Sequence, residues 1–229
     1  MTRTSAAETR DRLLHAAAAE ILAEGYASAS LSSIAARLGV TKGALAYHFP
    51  SKSDVAYALL DHMVATYQRM EGDVRASGLR GVRALVVTMA RSGLLTRTDV
   101  CFAAGTSLMI SPWSGGLTLP PVLSDLVETY AGYLREAVDD GDLDPDVDAV
   151  GAAEDLLAGG FGTLILLTRH PERQGPKPLR ITRRQLAAIG VKDADRLVDE
   201  MLAAHLAVPA RFDEPERFAA DTAGSVDRD

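Results

Sequence analysis

Lys42, Gly43 and Tyr47 fall within six residues of one another in the run GVTKGALAYHFPSKSD (39–54). Read as a helix from Thr41 to Phe49 with Leu45 facing inward, the run puts Phe49 on the same inner side. Gly43 and Tyr47 then lie almost opposite, four residues apart and so adjacent, with Lys42 and Ala46 flanking them. Glycine in a helix interior costs up to ~1 kcal/mol relative to alanine, and an outward face of lysine, glycine, alanine and tyrosine serves solubility poorly. It suits a surface laid into the major groove of DNA. Gly43 lets the backbone approach closely, Lys42 reaches a phosphate or a guanine edge, and Tyr47 offers a hydroxyl on a stiff aromatic arm. The helix start, with Thr41 beside it, offers backbone N–H groups to a phosphate. Ser32 and Ser33 just upstream, and Lys52 just downstream, stand where the flanking phosphates would lie. The plain alternative is a small helical bundle whose third helix is weakly polar, because helix-turn-helix spacing is prone to false matches.

The elements that must hold this face are marked by their caps. Ser5 and Glu8 have capping-box spacing for a first helix with the stripe Leu14, Ala17, Ala18, Ile21 and Leu22, stopped by Gly25. Ser30 can cap a second helix carrying Leu31, Ile34 and Leu38, ended by Gly39, and Thr41 can cap the third. Pro50 breaks the chain. Ser51 and Asp54 then open a fourth helix running from Lys52 to about Met70. A second helix, a tight glycine turn and a third helix have the proportions of a helix-turn-helix. Further helices are predicted at about 79–93, 98–110, 121–140, 146–169, 183–189 and 194–206, with loops at 111–121 and 170–178. The clearest stripe is Leu123, Leu126, Val127, Tyr130, Leu134 and Val138. The division expected is a DNA-binding unit at 5–50, a connecting helix at 51–70, a larger helical domain at 71–212 and a disordered tail at 213–229. The fold class is all-α.

The 229 residues are 47% apolar and 24% charged, as in a soluble globular protein. The formal charge of −7 argues against a generally basic nucleic-acid binder, yet residues 1–54 hold six Lys/Arg against five Asp/Glu while the remainder is strongly acidic. Cys101 is the only cysteine, which rules out an intrachain disulfide and a cysteine zinc cluster and suggests a small buried hydrophobe. No signal-peptide core opens the chain, and the apolar run LLAGGFGTLILL (156–167) is shorter than a bilayer span, so the cytoplasm is the expected location and no membrane partner is expected.

An enzyme would need converging acid, base or metal-ligating groups. Asp61-His62 prompts a helical metal-dependent phosphohydrolase, but His15, His48, His170 and His205 have no spacing that would complete such a site. GGFG (159–162) is not a phosphate loop, and its small residues favour close helix packing. The acidic run DDGDLDPDVD lacks calcium-loop spacing. No catalytic residue, metal or cofactor is expected.

The stretch SLSSIAARLGVTKGALAYHFPSKSDVAYALL (30–60) resembles the DNA-binding domain of the TetR family of bacterial repressors, a likeness covering about residues 5–65. It implies a homodimer on a palindromic operator and a helical C-terminal domain that dimerises and binds an inducer. The helices near 146–169 and 183–206 are the candidates for the dimer interface. It also implies DNA contact at Thr41, Lys42, Gly43, Tyr47, His48 and Lys52. Where the family often has an aromatic residue after GAL, this chain has Ala46. LREAVDDGDLDPDVDAVGAAEDLLAGGFGTLIL (134–166) resembles the actinobacterial γ-butyrolactone receptors. Those usually carry a pocket tryptophan near the positions of Asp125 or Leu126 here, whereas the only tryptophan of this chain is Trp113. The inducer implied is therefore a lactone or another small apolar molecule. A drug or metabolite sensor controlling an efflux pump is the alternative within the family. Phe102, Trp113, Tyr130, Tyr133 and Phe161, with hydroxyls from Thr163 and Thr168, are the residues expected to line an inducer pocket.

Overall fold

The computed structural model describes residues 6–110, 117, 121–169 and 179–206. These form ten helices: α1 Ala6–Glu24, α2 Leu31–Arg37, α3 Lys42–His48, α4 Lys52–Ala76, α5 Gly81–Thr98, α6 Val100–Ile110, α7 Val122–Asp139, α8 Ala149–Arg169, α9 Arg180–Ala188 and α10 Ala194–His205. No strand occurs among the described residues. Ser5, most of the 111–121 segment, the 170–178 loop and the 213–229 tail lie outside them.

The caps act as their spacing predicts. Ser30 Oγ accepts from Ser33 N at 3.0 Å and Ser33 Oγ accepts from Ser30 N at 3.0 Å. Thr41 Oγ1 accepts from Ala44 N at 3.1 Å, and Asp54 Oδ2 accepts from Ser51 N at 2.8 Å. Between α2 and α3 the chain turns at Gly39, whose φ of +64° is a conformation that favours glycine. Val40 N closes the turn by donating to Ala35 O at 3.0 Å.

α5 runs to Thr98 rather than to about 93, and three further elements differ from the sequence expectation. α4 runs to Ala76, not Met70, because its buried stripe continues through Met70 and Val74 while Glu71 and Arg75 pair one turn apart. α9 begins at Arg180, three residues early. Its Arg183 is buried and donates to Asp199 Oδ1 at 2.6 Å and to the Asp195 carbonyl at 2.8 Å, so a charged residue serves as the inner face. The third is α8. The apolar run at its end is short, but the helix presents an 18-residue stretch, Ala149–Leu166, long and apolar enough to cross a membrane by length and composition alone, of which only 22% is buried.

One continuous hydrophobic cluster includes side chains from α1 through α10. α6 is wedged between α4 and α1, α5 packs on α7, α7 on α8, and α10 on α5. α4 and α6 approach closely: a Cβ at Gly105 would stand 2.6 Å from Leu59 O and 2.7 Å from Met63 Cβ. Gly159 gives α8 the close packing expected of its small residues, since a Cβ there would meet the Gln185 side chain of α9.

Candidate nucleic-acid interface and effector region

The inward half of α3 is set by Leu45 and Phe49, which are 0% and 1% exposed. Arg10 of α1 lies 4.7 Å over the Phe49 ring and helps seat the end of the helix. With these two residues locked, the opposite face must point to solvent. Tyr47 is 83% exposed, and Thr41, Lys42 and Gly43 are exposed beside it. A Cβ at Gly43 would meet only Thr41 Oγ1, at 3.9 Å, so no internal neighbour requires the glycine. Ala46 and His48 are half-buried, and the His48 ring stands edge-on to Tyr47 with centroids 5.1 Å apart.

α2 is braced from behind. Arg37 Nε donates to Glu20 Oε2 of α1 at 2.9 Å. The Ser33 hydroxyl and the Arg37 guanidinium hold the Glu20 carboxyl below its ordinary range, against the opposing effect of burial. Two of the sequence-predicted phosphate contacts thus have internal work. Ser33 Oγ accepts from Ser30 N, donates to the Ser30 carbonyl at 3.0 Å and supports Glu20, whereas Ser32 is exposed. Lys52 Nζ donates to the carbonyls of Tyr26 at 2.9 Å and Ala27 at 3.2 Å and lies 4.6 Å over the Tyr26 ring. Two of its three N–H donors are therefore engaged within the chain.

The residues expected around an inducer are distributed differently. Phe102, Tyr130 and Tyr133 are core residues, 4%, 4% and 0% exposed. Phe161 and Thr163 on α8 are half-buried, and the Thr163 hydroxyl donates to Gly159 O at 2.7 Å in its own helix. Trp113 and the Thr168 side chain lie outside the described residues. Two open surface clefts, of about 400 and 360 Å³, are lined by none of these. The smaller runs between α4 and α5, past Met70, Arg91 and Leu95.

Tyr133 instead belongs to a polar cluster joining α4, α5 and α7. Its hydroxyl donates to Glu71 Oε1 at 2.9 Å and lies 3.3 Å from Thr88 Oγ1. Arg75 donates through Nε to Glu71 at 2.9 Å and through Nη1 to Glu136, and its guanidinium sits 4.0 Å over the Tyr133 ring. Glu136 Oε2 accepts from Gly81 N at 3.0 Å. Burial pushes the Glu136 carboxyl up, but Gly81 N–H and Arg75 outweigh it and leave the group below its usual range. Burial pushes the Tyr133 phenol up to about 12. Tyr67 of α4 adjoins Tyr130 and Tyr133, and its buried hydroxyl has no hydrogen-bond partner. Sequence reading placed Tyr67 on the inward face of α4 but overlooked Glu20, Glu71, Arg75 and Glu136. The only local trace was the Glu71–Arg75 spacing.

Elsewhere, His62 Nε2 contacts Asp99 Oδ2 at 2.8 Å, not Asp61, which is exposed. Asp99 also caps α6 by accepting from Phe102 N at 2.9 Å. Among the described residues no three His, Cys, Asp or Glu side chains converge as metal ligands. Burial pushes the Cys101 thiol up to about 12, so it behaves as a buried hydrophobe.

Residues 13–59 match the family model for bacterial regulatory proteins of the tetR family. Over those residues, α1 to α4, the chain thus resembles the regulatory proteins of that family. Over a longer span it is similar to the A-factor receptor protein of Streptomyces griseus, 28% identical over 69% of this chain and 54% of the receptor, so the alignment spans about half that relative's length. It is also similar to the HTH-type transcriptional repressor BepR of Brucella suis, 28% identical over 70% of this chain and 81% of BepR. Among solved structures, CprB of Streptomyces coelicolor in complex with its biological operator sequence superposes with a TM-score of 0.69 at 28% identity, covering 86% of this chain and 97% of CprB. A γ-butyrolactone receptor structure superposes with a TM-score of 0.65 at 28% identity, covering 85% of this chain and 97% of that one. The fold is thus that of ligand-responsive transcriptional regulators, and the relatives are regulators.

Proposed function

We propose that this protein is a transcriptional repressor that binds a palindromic DNA operator as a homodimer and leaves it when a small apolar, γ-butyrolactone-like effector binds. The observation carrying the reading is the outward face of α3: Lys42, Gly43 and Tyr47 project from a helix whose other side is locked into the core, and the glycine meets no internal neighbour. Thr41, Lys42, Gly43, Tyr47 and His48 form the groove-reading surface, with Ala46 leaving room beside Tyr47. Ser32 and the free donor of Lys52 approach the flanking phosphates. The DNA-binding unit ends near residue 50, α4 is the connector, and the remaining helices carry the effector site and the dimer contact. The similarity to the A-factor receptor and to operator-bound CprB supports the same reading.

The half-exposed apolar face of α8 is the dimer surface. Val150, Ile165 and Leu166 are exposed along the helix, with Glu154 and Asp155 exposed between them, and Cβ atoms at Gly160 and Gly162 would meet nothing within 4 Å. A second copy covering this face gives a helix of membrane-like composition an interior without a bilayer. Effector binding favours a conformation in which the two α3 helices no longer match successive major grooves, which lie ~34 Å apart. The protein works in the cytoplasm without catalysing a reaction. The experiment is operator selection from random duplexes with purified protein. Enrichment of a palindrome, abolished in Lys42→Ala/Tyr47→Ala protein that still folds and dimerises, is expected. Equal enrichment by the double variant would remove α3 from the interface.

A further inference from the structure

The Tyr67 hydroxyl is the one described side-chain group of the α4–α5–α7 cluster left buried with nothing to bond. Its neighbours are already engaged. Glu71 Oε1 accepts from Arg75 and Tyr133, Glu136 accepts from Arg75 and Gly81 N–H, and Tyr133 lies between Glu71 and Thr88. A buried hydroxyl without a partner is unfavourable, and a phenylalanine would fill the same space without that cost. The hydroxyl therefore fits a partner that arrives from outside the chain.

The surroundings define that partner's chemistry. Burial foremost, and then the neighbouring phenols and Glu71, keep the Tyr67 phenol protonated, so it is available as a donor. Arg75 is paired with both Glu71 and Glu136, and Arg80, which also acts on Glu136, pairs with Asp140, so no cation is left open to an anion. A cation has no lone pair to accept the phenol proton. The Tyr130 and Tyr133 rings supply apolar walls. We infer that Tyr67 is the specificity-determining donor to a carbonyl oxygen of a neutral, apolar effector seated between α4 and α7. The inference rests on the reading that a small apolar effector controls this protein, and it adds the acceptor such a molecule must carry.

The test uses the full chain with three probes: 2-hexanoyl-γ-butyrolactone, a 2-alkyltetrahydrofuran of matched size lacking carbonyls, and tetraphenylphosphonium. Calorimetric titration and thermal melting are run on wild type and Tyr67→Phe. Wild type is expected to prefer the lactone to the ether. Tyr67→Phe should melt at the same temperature or higher without ligand, and should bind the lactone about tenfold more weakly, as for one lost hydrogen bond, with the ether unaffected. Equal lactone binding by both proteins would overturn the donor role and leave the apolar-effector reading standing. Melting of unliganded Tyr67→Phe several degrees below wild type would show that the hydroxyl already has a structural partner and would overturn the inference. Wild type that takes only the phosphonium, or none of the three, would overturn the neutral-effector reading together with this assignment.

Discussion

α3 and α8 both carry glycines and expose large side chains, yet they differ in what lies at the tip. On α3 the exposed aromatic ends in a hydroxyl, a lysine stands next to it, and the helix is only seven residues long. On α8 the large exposed apolar side chains are Val150, Ile165 and Leu166, with Glu154 and Asp155 exposed between them, on a helix of 21 residues. A polar-tipped face can wait in water for a hydrated, charged partner. Exposed apolar side chains such as Ile165 and Leu166 cannot wait as cheaply, and they call for a cover of the same chemistry. The comparison therefore separates a surface used transiently from one used throughout the life of the folded protein.

The largest expected effect comes from spoiling the apolar face. Ile165→Asp/Leu166→Asp should yield a monomer in sedimentation at micromolar concentration and weaken operator binding about 100-fold or more, because two half-sites are no longer engaged together. A dimer with unchanged affinity would move the interface away from α8. Tyr47→Ala should cost about tenfold in operator affinity with no change in melting temperature, since the side chain is almost fully exposed. A loss of stability in that variant would instead make Tyr47 part of the fold. Gly43→Ala separates folding from binding most sharply. It should raise stability by ~0.5–1 kcal/mol, because a methyl has room and alanine favours the helix, while lowering operator affinity. Unimpaired binding would mean that the backbone does not approach the groove closely. Lys42→Ala should reduce the slope of log affinity against log salt by roughly 0.9, the signature of one phosphate contact; an unchanged slope would assign Lys42 to solvent.

The smallest effect is one of pH, and it reaches behind both faces. The Glu20, Asp99 and Glu136 carboxyls are held below their ordinary values in the fold. As pH falls the unfolded chain takes up protons first, so the stabilisation is complete above about pH 5 and is lost progressively below about pH 4. Melting temperature measured from pH 7 to 3 should fall on the acid side, and Glu20→Gln should flatten that fall.

Most of the N-terminal architecture was legible because its signals are local. Ser30, Thr41 and Ser51 each bond to a group three residues away, a distance that sequence spacing reports directly. The outward position of Tyr47 followed from the inward position of Leu45. The effector region was legible only as composition. Tyr130 and Tyr133 stood out as aromatics on a stripe, but the partners that give Tyr133 its role lie on α4 and α5, dozens of residues away. Arg75 and Glu136 are 61 residues apart, and no spacing rule joins them. Arg183 failed in the opposite sense. A charged residue reads as surface, yet two acceptors on α10 let it take an inner position.

Gly105 has a mechanical consequence. Its Cα sits so close to the α4 backbone that a Cβ would stand 2.6 Å from Leu59 O. If α6 slid along α4 by one turn in either direction, Cys101 or Met109 would carry a Cβ into that slot, and neither fits. Translation between the two helices is thus latched, while rocking about the Leu59–Gly105 point brings no new atom into the gap. Because α6 also packs on α1, a tilt at this pivot reaches the base on which α2 and α3 stand, converting a small angular change in the helical core into a displacement at the far end of the lever.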